Sequence, residues 1–168
     1  EIIAKIQKED RKAKLYFIKD LNKTYYKKLL NRFKKNKKID LERIEFLDGL
    51  SWENYINHCG QASVLLDPIY FGAGNSFYES MFYGTPTVSK PTIYTKSRLV
   101  LGAYKQMQIE DAPIVNSEDE YVKKAVEIAN HKNLYDLKSY YAEKAKANLY
   151  ENRNIIPNLE KIFKEIIS

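Results

Sequence analysis

The segment from Asp67 to Lys90 gathers residue types suited to holding a phosphorylated, hydroxyl-bearing ligand. Gly72 and Gly74 let a backbone pass close to a ligand, and Asn75 and Ser76 stand where the pattern opens a helix. Free N–H groups and the helix dipole at such a point attract an anion, so a diphosphate suits Gly74, Asn75 and Ser76. The dipole supplies only about 0.3 to 1 kcal/mol at an exposed site, so the Asn75 amide and the Ser76 hydroxyl must add donors. Glu79, one turn further, projects toward the same mouth, where a carboxylate accepts both hydroxyls of a ribose. Each such charged hydrogen bond is worth roughly 1.5 to 3 kcal/mol. A plainer reading stands beside this one: Asn75 or Ser76 caps the helix, and Glu79 is a first-turn acid complementing its dipole. For any one residue the plainer reading carries more weight, and the spacing of all of them together shifts the balance toward a ligand.

Other chemistries find less support. His58 and Cys59 are adjacent and His131 is isolated, so no metal-ligand spacing exists and neither a bound metal nor another cofactor is expected. There is no Gly-x-Ser-x-Gly elbow and no Ser, His and Asp set that would suggest a hydrolase. Trp52 and Tyr55 lie at helical spacing and read equally well as core or staple residues and as stacking aromatics. His58 by itself reads as a surface or hydrogen-bonded histidine.

The elements that must position this segment alternate along the chain. A helix-like start with Ile2, Ile3 and Ile6 precedes a short apolar strand, Lys14 to Ile18, and Thr24 to Lys35 follows as a helix with Tyr25, Leu29, Leu30 and Phe33 at helical spacing. Arg43 to Phe46 reads as a strand, Ser51 as the cap of a helix reaching about Cys59, and Ser63 to Leu66 as a buried strand ending at Asp67-Pro68. Ser76 to Tyr83 is helical and stopped by Gly84, Pro86 to Ser89 is a strand, and a helical segment runs near Thr95 to Tyr104. Pro113 to Val115 makes a last strand. Ser117 with Glu120 forms a capping box, and helices at about Leu134 to Leu149 and Asn158 to Ile167 close the chain, the last with Pro157 at its start. Strands and helices alternating at this spacing predict an α/β fold, a Rossmann-like doubly wound parallel sheet with helices on both faces. Ligands bind such sheets outside the carboxyl ends of the strands, which directs attention to the loops after Phe46, Asp67 and Ser89.

Composition narrows the partners. A chain of 168 residues suits one domain, 1–168, and it begins at Glu1 inside an amphipathic run, as a piece of a longer protein would. The single cysteine, Cys59, cannot form an internal disulfide, and no signal-peptide pattern is visible, so a cytoplasmic setting is expected. No run approaches the roughly 18 consecutive apolar residues of a membrane span. The net charge of +6 is concentrated in residues 1–50, which hold 15 Lys/Arg against 8 Asp/Glu. Lys34, Lys35, Lys37 and Lys38 sit at the end of a helical pattern, where cations complement the macrodipole. With Lys far outnumbering Arg and no aromatic-lined groove in the pattern, nucleic acid is not an expected partner.

Glu79-Ser80-Met81-Phe82-Tyr83-Gly84-Thr85-Pro86-Thr87-Val88 resembles the Glu-x-Met-x-x-Gly-x-Pro-x-Val signature of two-lobed, GT-B glycosyltransferases. In that group the acid binds the donor's ribose. Retaining members often carry a second Glu eight positions earlier, where this chain has Phe71, so the resemblance favours an inverting enzyme. A fuller pattern of Arg43-Ile44-Glu45-Phe46, Asp67-Pro68 through Val88, and Ser97-Arg98 is similar to the O-GlcNAc transferase family, including its bacterial N-glucosyltransferase relatives. The resemblance extends weakly across most of the chain, and the Gly-x-Pro piece alone is widely shared.

That resemblance implies the C-terminal half of a GT-B fold, a UDP-sugar-binding lobe. Asn75 and Ser76 fall where the family holds the diphosphate, Glu79 where it binds the ribose, and Leu50, Tyr55 and His58 where it reads or packs on the uracil. Trp52 and His58 stand where Lys and Arg are usual, which leaves base preference open, whereas Tyr55 replaces an imidazole and can still stack. The implied partners are a UDP-sugar, the N-terminal lobe and a protein or glycan acceptor. The implied reaction is metal-free inverting transfer of a hexose or N-acetylhexosamine to a Ser/Thr or Asn side chain. The lysine that steadies the departing diphosphate lies upstream of Glu1 in this alignment, so no catalytic residue is assigned within 1–168, and binding with little turnover is expected of the chain by itself. A GT-B enzyme acting on lipopolysaccharide or another glycan, and a non-catalytic nucleotide-binding or basic interaction module, are the alternatives.

Overall fold

The computed structural model describes residues 1–167; Ser168, the last residue of the expected domain, lies outside them. The order is α1 (Ile2–Glu9), β1 (Leu15–Ile18), α2 (Thr24–Lys35), β2 (Ile44–Leu47), α3 (Trp52–Gln61), β3 (Leu65–Leu66), α4 (Asn75–Met81), β4 (Thr87–Val88), α5 (Leu99–Gln106), α6 (Glu118–Ala129), α7 (Leu134–Asn148) and α8 (Ile155–Ile167). β1 and β2 pair in parallel, Leu15 opposite Ile44 and Ile18 opposite Leu47. β3 and β4 also pair in parallel, and Ser89 continues with a single parallel bridge to Ile114. The expected strands are thus extended and parallel, but their hydrogen bonds form two pairs and a bridge rather than one ladder. At the last of them Pro113 has no N–H to lengthen the ladder; its carbonyl accepts from Ser89 N–H at 3.0 Å and Val115 N–H donates to the Ser89 carbonyl at 2.9 Å.

Helices cover both faces of the β3–β4 pair, the doubly wound arrangement. Alternate residues of a strand face opposite ways, and β4 shows the consequence. Thr87 N–H donates to the Tyr104 hydroxyl at 2.8 Å, on the side where Phe77 and Met81 of α4, Val100 and Tyr104 of α5 and Tyr141 and Ala145 of α7 pack. Val88 belongs to the other cluster, with Ile6 of α1 and Tyr121, Val122, Ala125 and Ile128 of α6. On the β1–β2 pair, Phe17 and Phe46 stack with centroids 5.5 Å apart, and Phe33 of α2 meets Phe17 edge-on at 5.5 Å. Arg43 joins this pair to α1: its guanidinium donates to Asp40 Oδ2 at 2.8 Å, the Asp10 carbonyl at 3.0 Å and the Gln7 carbonyl at 3.1 Å.

Capping chemistry sets most helix limits. Ser51 Oγ accepts from Asn54 N–H at 3.3 Å, and Ser117 Oγ from Glu120 N–H at 3.1 Å, while Glu120 reaches back to Asn116 N–H at 2.8 Å, one residue earlier than the usual box. α4 ends at Met81, two residues before the expected limit, because Gly84 N–H and Thr85 N–H turn back to the carbonyls of Met81 and Ser80. Gly84 has φ +64°, and a Cβ there would lie 1.8 Å from the Lys138 carbonyl oxygen. The helix expected over 95–104 is divided: Thr95–Ser97 is a tight 3-10 turn, Arg98 leaves helical geometry at φ −115° and ψ 5°, and α5 starts at Leu99. α8 starts at Ile155, earlier than expected, because Pro157 falls in its first turn, where no N–H is needed.

Candidate functional site

The loop between β3 and α4 is held by a buried carboxylate. Asp67, 3% exposed at the end of β3, accepts Ala73 N–H on Oδ1 at 2.6 Å and the Ser89 hydroxyl on Oδ2, and its carbonyl accepts the Tyr121 hydroxyl at 2.9 Å. Burial pushes its carboxyl above the usual range, against the lowering effect of those two donors. Gly72 is buried under the next loop: its N–H donates to the Lys96 carbonyl at 2.8 Å, and a Cβ would come within 3.1 Å of that oxygen and 3.3 Å of Asp67 Oδ1. The close approach that Gly72 permits is therefore to the chain itself. At Gly74 a Cβ would meet only Leu99 Cδ1, at 3.7 Å.

Gly74, not Asn75 or Ser76, occupies the capping position of α4, and no side chain caps it. This removes the capping explanation for Asn75 and Ser76. Both are exposed at the first two helical positions, and among the described residues no acceptor takes their backbone N–H groups.

Tyr55 of α3 reaches across to α4. Its hydroxyl lies close enough to the Ser76 hydroxyl, the Cys59 thiol and the half-buried Glu79 carboxylate for each to act on its ionisation. Burial foremost pushes the Tyr55 hydroxyl up to about 12; Ser76 opposes that shift, and Cys59 and Glu79 add to it. Burial, with Glu79 adding, also raises the Cys59 thiol, against the lowering effect of the nearby Tyr55 hydroxyl. The structure thus brings together residues assigned from sequence to three parts of one ligand: Tyr55, Ser76 and Glu79. No side-chain hydrogen bond or ion pair joins Leu50 or His58 to them among the described residues. Leu50 is half-buried in the loop before α3, and His58 is exposed on α3. Trp52 is 69% exposed, so it is not a core residue.

Two other conspicuous segments prove to be braces. Arg43 clamps α1 as described. Ser97 is buried, accepts Thr92 N–H at 3.0 Å and donates to the Tyr94 carbonyl at 2.8 Å, fixing the loop that covers Gly72. The residues to which the sequence analysis gave no role of their own are Asp67 and Ser89, which hold the Gly loop; the Asp-Pro pair at a strand end was the local signal. Among the described residues no three His, Cys, Asp or Glu side chains gather in a metal-binding group, and no helix is long and apolar enough to cross a membrane.

No family model matches this chain, and no curated protein matches it by sequence. Among solved structures, a mutant of the O-GlcNAc transferase from Thermobaculum terrenum matches with a TM-score of 0.84 at 17% identity, over 98% of this chain and 32% of that one. This is an O-GlcNAc-transferase-like, GT-B fold. The expected Rossmann-like lobe is borne out, and the chain spans about a third of the length of the transferase it matches. At this identity the likeness is one of backbone, so what the O-GlcNAc-transferase-like lobe does must be argued from its own side chains.

Proposed function

We propose that this chain is the donor-nucleotide-binding lobe of an inverting glycosyltransferase that moves a hexose or N-acetylhexosamine from UDP to a Ser/Thr or Asn side chain of a protein. The observation that carries the reading is the meeting of Tyr55, Ser76 and Glu79 beside the strand ends, next to the uncapped start of α4. In this reading Gly74, Asn75 and Ser76 hold the diphosphate through backbone N–H, amide and hydroxyl donors, and Glu79 accepts the ribose hydroxyls. Tyr55, Leu50 and His58 line the uracil, with Tyr55 supplying the stacking face. α4 has only seven residues, so its dipole is a minor contributor beside these donors. The departing UDP is stabilised electrostatically without a metal or other cofactor, by donors aimed at its growing charge. Phe71, in place of a second acid, supports inversion. The acceptor and the remaining donors come from a second lobe, so the chain by itself binds UDP-sugar with little turnover.

Amide-resolved NMR titration with UDP tests the placement. Shifts concentrated at Gly72, Gly74, Asn75, Ser76 and Glu79 are the expected result. Saturable shifts centred elsewhere, such as on α6 or α8, would contradict it.

A further inference from the structure

From Leu21 to Ile39 the chain carries eight Lys/Arg and no Asp or Glu. Five lie on α2 (Lys27, Lys28, Arg32, Lys34, Lys35), with Lys23 before it and Lys37 and Lys38 after, and all eight are exposed. Among the described residues only Lys23 makes an ion pair, a long one of 3.8 Å to Asp48. α2 turns Tyr26, Leu29, Leu30 and Phe33 inward. At 3.6 residues per turn this places Lys28, Arg32 and Lys35 in one row on the opposite side, a ridge about 10 Å long, flanked by Lys27 and Lys34. Complementing the helix dipole accounts for Arg32, Lys34 and Lys35 in the last turn. It does not account for Lys23, Lys27 and Lys28, which crowd the positive end, where a cation is disfavoured. Folding therefore gains no dipole stabilisation from these three.

The geometry points to α2 as a docking surface for the anionic headgroups of a phospholipid bilayer. The surface is the convex side of one helix, and lysine outnumbers arginine seven to one between residues 21 and 39. Lysines act as flexible point charges that suit a diffuse layer of headgroup phosphates, whereas nucleic acid is held in grooves by arginine forks and stacked rings. At the leading end Leu21 is 94% exposed and Tyr25 75% exposed, with Lys28 Nζ 6.0 Å from the Tyr25 ring centre. An exposed aliphatic and an aromatic side chain beside lysines form the kind of pair that settles at a bilayer interface. This surface goes beyond the donor site and is independent of it.

Flotation of the chain with vesicles tests the assignment, using phosphatidylcholine alone and phosphatidylcholine mixed with phosphatidylglycerol. Binding only to the mixed vesicles is expected, with release as salt rises from about 0.1 M to about 1 M and the screening length falls from about 10 Å to about 3 Å. The combined change Lys28→Gln, Arg32→Gln and Lys35→Gln should weaken binding about a hundredfold, since each basic residue at such a surface contributes roughly a fivefold factor. Lys105→Gln, Lys132→Gln and Lys146→Gln remove the same charge from exposed positions elsewhere and should change binding little. All six positions are exposed, so circular dichroism should show both variants folded. Equal loss in the two variants, no preference for the mixed vesicles, or tighter binding to duplex DNA than to mixed vesicles at the same salt would overturn the proposal.

Discussion

Asp67→Ala should loosen the loop that precedes α4 without touching any residue assigned to the ligand. The wild-type carboxylate takes Ala73 N–H at 2.6 Å and the Ser89 hydroxyl, and the substitution strands both donors. Stranding a buried donor costs roughly 1 to 3 kcal/mol. Ser89 is fully buried and stands at the upper end of that range, while Ala73 is half-buried and water can reach it. The burial that raises the Asp67 carboxyl is relieved by its removal, which offsets part of the loss. A net destabilisation of about 3 kcal/mol follows, measurable by urea unfolding, with UDP affinity falling in parallel as Gly74 and Asn75 lose their anchor. Asp67→Asn keeps an oxygen for Ala73 and should lose only about 1 kcal/mol. The pH dependence has a definite sign. A carboxyl raised in the folded state favours the protonated form there, so its ionisation costs stability above the folded pKa, and that cost vanishes as pH falls to the unfolded value near 3.8. Acidification through this window should therefore stabilise wild type relative to Asp67→Asn. Asp10 has the opposite sign: its carboxyl is lowered, first by the Asn130 side chain, so its stabilisation is lost as pH falls through its folded pKa. An Asp67→Ala variant within about 0.5 kcal/mol of wild type, or a wild-type-to-Asn difference that does not move with pH, would refute the reasoning.

Gly84→Ala forces a Cβ onto the Lys138 carbonyl at positive φ and should cost at least about 2 kcal/mol, read as a lowered melting temperature; an unchanged melt would contradict the turn described. Tyr104→Phe removes the acceptor of Thr87 N–H at full burial and should cost about 1 to 3 kcal/mol in urea unfolding, more than an exposed change such as Tyr135→Phe. Tyr55→Phe keeps the stacking face and leaves Gly74, Asn75 and Ser76 in place, so UDP affinity should hold; a loss of about tenfold by calorimetry would contradict a stacking role for Tyr55.

Where local chemistry decides structure, the sequence was legible. The strands expected at Lys14 to Ile18 and Arg43 to Phe46 form within one residue of those limits, at Leu15–Ile18 and Ile44–Leu47, and the caps at Ser51 and Ser117 and the turn at Gly84 are present, because each depends on residues within a few positions of itself. The break at Arg98 was not legible, because it follows from Ser97 being buried against Thr92 and Tyr94 rather than from any periodic pattern. Asp67 before Pro68 reads as a turn, and only the folded chain shows Ser89, Ala73 and Tyr121 converging on it from three segments. Of the candidate site, the spacing from Asn75 to Glu79 was readable because it lies within one helix. That Tyr55 would meet Ser76 depends on how α3 packs on α4, which no single-segment pattern encodes.

Calorimetric titration of UDP, with ADP as control, into the wild-type chain and into Glu79→Ala and Ser76→Ala tests the central claim most directly. The donor-lobe account predicts UDP binding that weakens in both variants, with ADP much poorer in all three. A folded chain that fails to bind UDP, or binds it equally well without Glu79 and without the Ser76 hydroxyl, would contradict it.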